Sequence, residues 1–195
     1  MARIDPLLRA ESRIRGYLDR ALTPFRIPAV PDYGFIPDGD VRQLWLRRLD
    51  RVRDTLELAR AVIERDGWTS GGWFTVRRPS GGVRIAAPLE AYALRDPRSS
   101  VVSACLVGTL LRLADDPDGA ASVRDVWGSV DELYEAMHEQ MGHASLPPGR
   151  VYSANERRTR LQGLTAWNDA PGRTRDQVLD LLDRAISRTI VAACN

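Results

Sequence analysis

The residue types of a thiol active site occur in the sequence, although they lie far apart along the chain. Cys105 could act as a nucleophile if His138 or His143 served as its base and Asn168 or Asp169 oriented that base. Such a site needs the base beside the sulfur, because the reactive form of cysteine is the thiolate. Cys105 lies in an apolar run, and a free cysteine in such a run is more often a small buried hydrophobe. We therefore favour a structural role for Cys105.

A second pattern, Glu135-x-x-His138, would place a carboxylate and an imidazole on one face of a helix, as in carboxylate-bridged di-metal sites. Such a site needs the pair twice, and the sequence contains no second copy. His143 follows five residues later, which is about 140° further round an ideal helix. We interpret the pattern as a solvent-facing helix surface. The sequence predicts neither a metal nor a cofactor.

The segment Trp167-Asn168-Asp169, with Arg173 after it, allows two interpretations. Asn168 and Asp169 could line a small polar pocket beside Arg173. Asn and Asp side chains also bond readily to the backbone of turns, and Trp167 could fill the core beside such a turn. We favour the turn, and the pocket is the alternative that a small enzyme would use.

A ligand-binding surface is predicted around a β-hairpin near the middle of the chain. Its Trp and Arg side chains combine aromatic and cationic groups that suit an anionic or aromatic ligand, although exposed Arg on a hairpin is also ordinary. The residues predicted to bind a ligand are Trp68, Trp73, Arg77, Arg84, Trp167, Asn168, Asp169 and Arg173.

The charge composition argues against a dedicated nucleic-acid or membrane-surface protein. The 28 basic residues are all Arg, and the 26 acidic residues leave a net charge of only +2. The densest basic stretches, residues 47–53 and 157–160, contain or adjoin acidic residues that weaken the field required by a phosphate backbone. A nucleic-acid partner is not expected, and it would be favoured only if these stretches converged on one face.

Cysteine usage and hydropathy predict a cytoplasmic chain. Cys105 and Cys194 do not make a disulfide framework or a zinc-binding spacing. Residues 1–16 lack the continuous apolar core of a signal peptide. The longest apolar stretch, residues 101–114, is interrupted by Ser103 and Arg112 and is too short to span a bilayer. Neither export nor a membrane partner is expected.

Helical periodicity and proline spacing divide the N-terminal third into three elements. Apolar residues at spacings of three, four and seven predict an amphipathic helix over residues 5–22. Prolines among apolar residues then predict an extended strap over 23–39 that lies on the core. Asp40 fits the N-cap of a long helix that ends at Gly67.

The middle of the chain predicts a hairpin followed by a buried helix. Residues 71–78 and 83–86 are β-prone and flank a turn, so one short hairpin and no larger sheet is expected. Asp96 and Pro97 fit a helix start, and the apolar run from Val101 to Leu113 predicts the central, most buried helix.

The remaining residues predict further helices over 120–127, 130–141 and 155–167. Thr174 and Gln177 fit a capping box that begins the last helix, over 175–193. The expected fold class is therefore mainly α. It is a single-domain bundle of six or seven helices over residues 1–195, with one small β-hairpin. Residues 1–39 form the N-terminal helix and Pro-rich strap, and residues 40–195 form the core.

Three motifs resemble those of a small family common in actinobacteria and known only as a domain of unknown function. They are a GW pair at Gly67-Trp68, a CLxG motif from Cys105 to Gly108, and a WNDxxGRT motif from Trp167 to Thr174, which is the most specific. The likeness covers residues 55–190, and the chain departs from compact members by its N-terminal segment and by an insertion over 115–164. Because the family has no assigned reaction, the resemblance implies a fold and transfers no catalytic residue.

These observations favour a non-catalytic helical binding or accessory domain that contacts a protein or a small ligand through the Trp/Arg hairpin region. The alternative is a small enzyme of specialised metabolism that uses Cys105 or the pocket near Asn168 and Asp169. The sequence leaves open whether any reaction is catalysed, and it is compatible with a homodimer.

Overall fold

The computed structural model describes residues 38–77, 81–86, 101–114, 121–150 and 152–194. The predicted N-terminal helix, nearly all of the Pro-rich strap, and the predicted helix start at Asp96 and Pro97 lie outside these ranges. The elements below therefore belong to the described part of the chain alone.

The fold is mainly helical with a small sheet, which confirms the expected class at that level. The five helices of the described part are α1 (Asp38–Asp66), α2 (Leu106–Ala114), α3 (Val123–Gln140), α4 (Ala154–Asn168) and α5 (Arg175–Cys194). The three strands are β1 (Phe74–Arg77), β2 (Val83–Ala86) and β3 (Val101–Ala104).

The shortest helix, α2, lies at the centre of the core. Leu106 and Leu110 of α2 are fully buried and share one apolar cluster with Leu56 of α1, Leu133 of α3 and Leu181 of α5. Removing these side chains from water is the main term that holds the bundle together. No helix in the described ranges is long and apolar enough to cross a membrane.

The sheet has three strands in the order β2-β1-β3, and not the two strands of a lone hairpin. β1 pairs antiparallel with β2, as predicted, and antiparallel with β3 on its other side. The prediction of helix over Val101–Ala104 was therefore wrong. Val101 and Val102 are β-branched and suit a strand, and a short apolar run cannot be assigned by its periodicity alone.

The two helices predicted over 120–127 and 130–141 are one continuous helix, α3. Gly128 does not interrupt it, because its bare backbone accommodates α1: a Cβ at this position would lie 2.5 Å from Cγ2 of Val52. Ser129 is also kept in the helix, where its hydroxyl donates to the carbonyl oxygen of Asp125 at 3.0 Å. Gly128 and Ser129 therefore allow α3 to continue and to pack closely against α1, and they do not form a turn between two helices.

Capping boxes start the last two helices. The predicted box at α5 is confirmed: the amide of Gln177 donates to Oγ1 of Thr174 at 3.3 Å, and the amide of Thr174 donates to Oε1 of Gln177 at 3.1 Å. A second box, which the sequence analysis missed, joins Ser153 and Glu156 at α4. Each box satisfies backbone amides that the helix itself leaves free.

The sheet is attached to the core by a close approach between α2 and the residue before β1. The amide of Cys105 donates to the carbonyl oxygen of Trp73 at 2.9 Å. A Cβ at Gly108 would lie 2.3 Å from that same oxygen and 3.2 Å from the ring of Phe74. Because backbone atoms leave no room there, glycine is required at position 108.

We expect Gly108→Ala to lower the free energy of unfolding by about 2 kcal/mol, since the added methyl must displace backbone and overpacking typically costs about 1–3 kcal/mol. Gly163→Ala is the matched control, because a Cβ there meets the ring edge of Tyr134, a partly exposed side chain, at 2.9 Å. Urea denaturation measures both. Equal stability of Gly108→Ala and the wild type would show that α2 does not approach β1 so closely.

Candidate functional site

The side chain of Asn168, at the end of α4, joins three segments of the chain. Its Oδ1 accepts from Nε1 of Trp68 at 2.8 Å and from the amide of Leu106 at 3.2 Å. Its Nδ2 donates to the carbonyl oxygen of Thr69 at 3.4 Å and to Oδ1 of Asp169 at 2.8 Å. Asn168 is fully buried. The amide group is therefore occupied by the fold, and we call this set of bonds the Asn168 joint.

Trp167 and Asp169, the neighbours of Asn168 in the chain, make further contacts at the surface. Oδ1 of Asp169, whose side chain is exposed, accepts from the amide of Gly71 at 2.9 Å. The guanidinium of Arg173 lies 3.7 Å from the centre of the Trp167 ring, and its Nε donates to the carbonyl oxygen of Trp167 at 3.0 Å. Trp167 is half-buried, and not largely buried as expected from the sequence, and Arg173 covers one side of its ring.

The four residues predicted around the hairpin do not share one surface. Trp68 and Trp73 are half-buried and pack against the core cluster. Arg84 is paired with the buried Val76 in the β1–β2 register, whereas Arg77 is paired with the exposed Val83. Opposite residues of an antiparallel pair share a face, so the two arginines lie on opposite faces of the sheet.

Cys105 is buried at the start of α2, with 1% of its surface exposed. Burial, and to a lesser extent the negative charge of Asp169, raises the pKa of its thiol to about 11. The amide of Gly108 donates to the sulfur at 3.2 Å, which partly opposes this shift. At neutral pH the group is a thiol, and not the thiolate that a nucleophile requires.

The two histidines, His138 and His143, lie together beside Tyr134. The ring of His138 lies 4.3 Å from that of Tyr134 and 5.4 Å from that of His143. Glu135 does not belong to a solvated face, as the sequence analysis assumed, because only 3% of it is exposed. No group of three or more metal-ligating side chains occurs in the part of the chain that the structure describes.

The sequence analysis missed the most concentrated set of buried charges. Three acidic residues of α3, Asp131, Glu132 and Glu135, are between 1% and 4% exposed. We call them the carboxylate row. Burying a carboxylate is costly unless donors replace water around it, so the partners of each member determine what the row does.

Each member of the carboxylate row forms an ion pair with a different arginine. Oε1 of Glu135 accepts from Arg160 and from the hydroxyl of Tyr152 at 3.0 Å, and the ring of Tyr152 lies 3.5 Å from the Arg160 guanidinium carbon. Oε2 of Glu132 lies 3.4 Å from Nε of Arg188. These contacts attach α4 and α5 to α3.

The carboxylate row also holds the loop between α3 and α4. The amide of Leu146 donates to Oε2 of Glu135 at 2.8 Å, and the amide of Gly149 donates to Oε1 of Glu132 at 2.9 Å. NH2 of Arg188 donates to the carbonyl oxygen of Leu146 at 2.7 Å. The loop is therefore fastened by charge-assisted hydrogen bonds.

Asp131 is the least compensated member of the row. Its Oδ2 accepts from NH2 of Arg157 at 2.9 Å and from Nε at 3.2 Å, but its Oδ1 is buried without a hydrogen-bond partner. Burial raises the pKa of Asp131 to about 6, although Arg157, Arg160 and Arg48 oppose the shift. The row thus contains one carboxyl group that titrates close to neutrality.

An apolar cavity lies between α2, α3 and α4. Its volume is about 20 Å³, room for a single water molecule. Val107 and Leu110 line it from α2, and Val126, Trp127 and Val130 line it from α3. None of residues 167–174 lines this cavity.

Comparison with known proteins identifies one family. A model described as a family of unknown function (DUF6197) matches residues 47–188, which confirms the resemblance expected from the sequence. No curated protein and no solved structure gave a significant match to the chain.

We expect Asn168→Ala to lower the free energy of unfolding by about 2–4 kcal/mol, because it leaves the Trp68 indole and the Leu106 amide buried without an acceptor. Asp169→Ala should cost about 1 kcal/mol or less, since its bond to Gly71 is exposed. Chemical denaturation measures both. A stable Asn168→Ala would favour a pocket at this position instead of a joint.

The raised pKa of Asp131 predicts a pH dependence of stability. The folded pKa of about 6 exceeds the ordinary 3.8, so its contribution is complete below pH 4 and is lost as the pH rises through 6. The loss is on the order of 3 kcal/mol at about 1.4 kcal/mol per pKa unit. Asp131→Asn should remove this decline in denaturation curves between pH 4 and 7.5. A decline of the same size in the variant would assign it to another group.

Proposed function

Since the chain belongs to the DUF6197 family, whose function is unknown, we propose a role from its own surfaces: it is a non-catalytic binding domain that contacts a partner protein through the outer face of its sheet. This proposal keeps the hairpin region that the sequence analysis favoured. In place of the half-buried Trp side chains, which pack against the core cluster, it uses the exposed apolar side chains of β2.

The register of the sheet defines this outer face. Thr75 of β1 is opposite Ile85 of β2 and Ser103 of β3, and Arg77 is opposite Val83. The other face carries Phe74, Ala86 and Ala104, which are all buried. We call Thr75, Arg77, Val83, Ile85 and Ser103 the outer sheet face.

The observation that supports the proposal most directly is the exposure of two apolar side chains on this face. Val83 is 50% exposed and Ile85 is 52% exposed, two residues apart on one strand. Covering apolar surface of this kind contributes about 25 cal/mol per Å² to association. Arg77, which is also exposed, lies opposite Val83 and would attract a carboxylate at the rim of the contact.

The position of β2 indicates how a partner would bind. β2 is an edge strand, and no other strand in the described ranges pairs with its outer side. An edge strand can accept an extended protein segment, which adds to the sheet as a further strand. The expected partner is therefore a protein segment that pairs with β2, covers Val83 and Ile85, and brings an acidic residue to Arg77.

The alternative of a small enzyme has less support. Cys105 is a buried thiol with a pKa of about 11. The amide of Asn168 is engaged by Trp68, Thr69 and Leu106. Neither group is free to act on a substrate.

Photo-crosslinking at position 85 tests the proposal. With a benzophenone side chain in place of Ile85, we expect one specific protein adduct in the native cells. A second copy of the chain as adduct would mean that the partner is a homodimer subunit. The same substitution at Leu58, which is 40% exposed on α1, serves as the matched control.

Binding of the purified adduct protein then decides the question. Ile85→Asp should weaken the measured dissociation constant at least about tenfold, or about 1.4 kcal/mol, whereas Leu58→Asp should leave it unchanged. The proposal is wrong if both positions give the same adducts, or if Ile85→Asp binds as tightly as the wild type.

A further inference from the structure

Most of the exposed apolar side chains of the helices lie at one end of the bundle. Nine large apolar side chains are exposed in the described part of the chain, and three of them lie elsewhere, two on the sheet and one at Leu58 further along α1. The other six, which are between 38% and 60% exposed, are Val41, Leu44, Met141, Leu146, Ile190 and Val191. We call these six residues the apolar end surface.

The different lengths of α1 and α5 leave part of this surface uncovered. Nε of Arg60 in α1 is 2.6 Å from Oδ1 of Asp183 in α5, and further along α1 the carbonyl oxygen of Glu64 accepts from Arg175, the first residue of α5. The two helices are therefore antiparallel. Since α5 ends eleven residues after Asp183, its end lies near the level of Leu49, eleven residues before Arg60. The first part of α1 extends beyond α5.

The loop between α3 and α4 connects the parts of the apolar end surface. Near the end of α5, the guanidinium of Arg188 donates to the carbonyl oxygen of Leu146 at 2.7 Å. A Cβ at Gly149 would lie 2.4 Å from Nε1 of Trp45, the neighbour of Leu44 in the sequence. The loop therefore contacts both the end of α5 and the first part of α1.

The chain that enters α1 at this end carries many apolar residues. Residues 23–37, the part of the predicted Pro-rich strap that precedes α1, include Phe25, Ile27, Val30, Tyr33, Phe35 and Ile36. They join α1 at Asp38, three residues before Val41. Because the connection is covalent, their effective concentration at a nearby site is about 1 mM or more.

We propose that the apolar end surface binds residues 23–37 of the same chain. Large exposed apolar patches are typically interaction sites, and covering them contributes about 25 cal/mol per Å² removed from water. The segment is long enough to cover the surface. Fifteen extended residues span roughly 45 Å, whereas α5 ends only about 17 Å from Asp38 along the axis of α1.

A second copy of the chain is a weaker candidate for this surface. Association of two molecules costs translational and rotational freedom, most of which an attached segment has already lost. Each copy would also carry its own residues 23–37 next to the surface, and these would compete with the contact between copies. The same argument applies to an unrelated protein partner.

Photo-crosslinking from the end of α5 tests the proposal in the full, purified chain. With a benzophenone side chain in place of Val191, which is far from residues 23–37 in the sequence, we expect an adduct with the mass of one chain. Fragment spectra of its tryptic peptides should locate the link within residues 23–37. The same side chain in place of Leu58, which is 40% exposed, is the matched control and should not label this segment.

Limited proteolysis with trypsin provides a second measurement. Bound residues 23–37 should protect the peptide bond after Arg26, because proteolysis depends on the population of the open form. Leu44→Asp places a charge in the apolar contact, so it should speed this cleavage at least about tenfold, whereas Leu58→Asp should not. Cleavage after Arg184 in α5 should stay unchanged in both variants, which distinguishes release of the segment from unfolding.

Three results would overturn the proposal. An adduct of doubled mass from position 191 would assign the apolar end surface to a second copy of the chain. Links from position 191 that all lie outside residues 23–37 would place this segment elsewhere. Equal rates of cleavage after Arg26 in the wild type and in Leu44→Asp would show that the apolar end surface does not hold the segment.

Discussion

The position of the sheet relative to the helices depends on one buried side-chain amide. Asn168 accepts from the segment after α1 and from the first residue of α2, and it donates back to the carbonyl oxygen of Thr69. An aliphatic side chain of similar size would leave buried donors without acceptors, so the chemistry of the amide is required. Cys105 then continues the connection, since its own amide binds the residue before β1.

Charge pairing holds the side of α3 that faces the loop before α4. The carboxylate row receives arginines from α4 and α5 and backbone amides from a loop that has no regular secondary structure. A buried pair adds little net stability over an apolar contact, but an unpaired member is strongly destabilising. The main effect of the carboxylate row is therefore to specify one conformation of the loop. Its contribution to the stability of the core is smaller.

Structural features that depend on neighbouring residues could be predicted from the sequence, whereas features that depend on contacts between distant residues could not. Thr174 and Gln177 lie in one helical turn, so their capping box could be predicted. The strand at Val101–Ala104 depends on pairing with β1, which is more than 20 residues away. Glu135 is buried because Arg160 and Tyr152 cover it, and neither contact can be deduced from the spacing on α3.

The roles of the individual arginines could not be predicted from the sequence either. All basic residues of this chain are arginines, so residue type cannot separate those that hold the fold from those free to bind a ligand. Arg157, Arg160 and Arg188 satisfy buried carboxylates, and removing one would leave a buried charge unpaired.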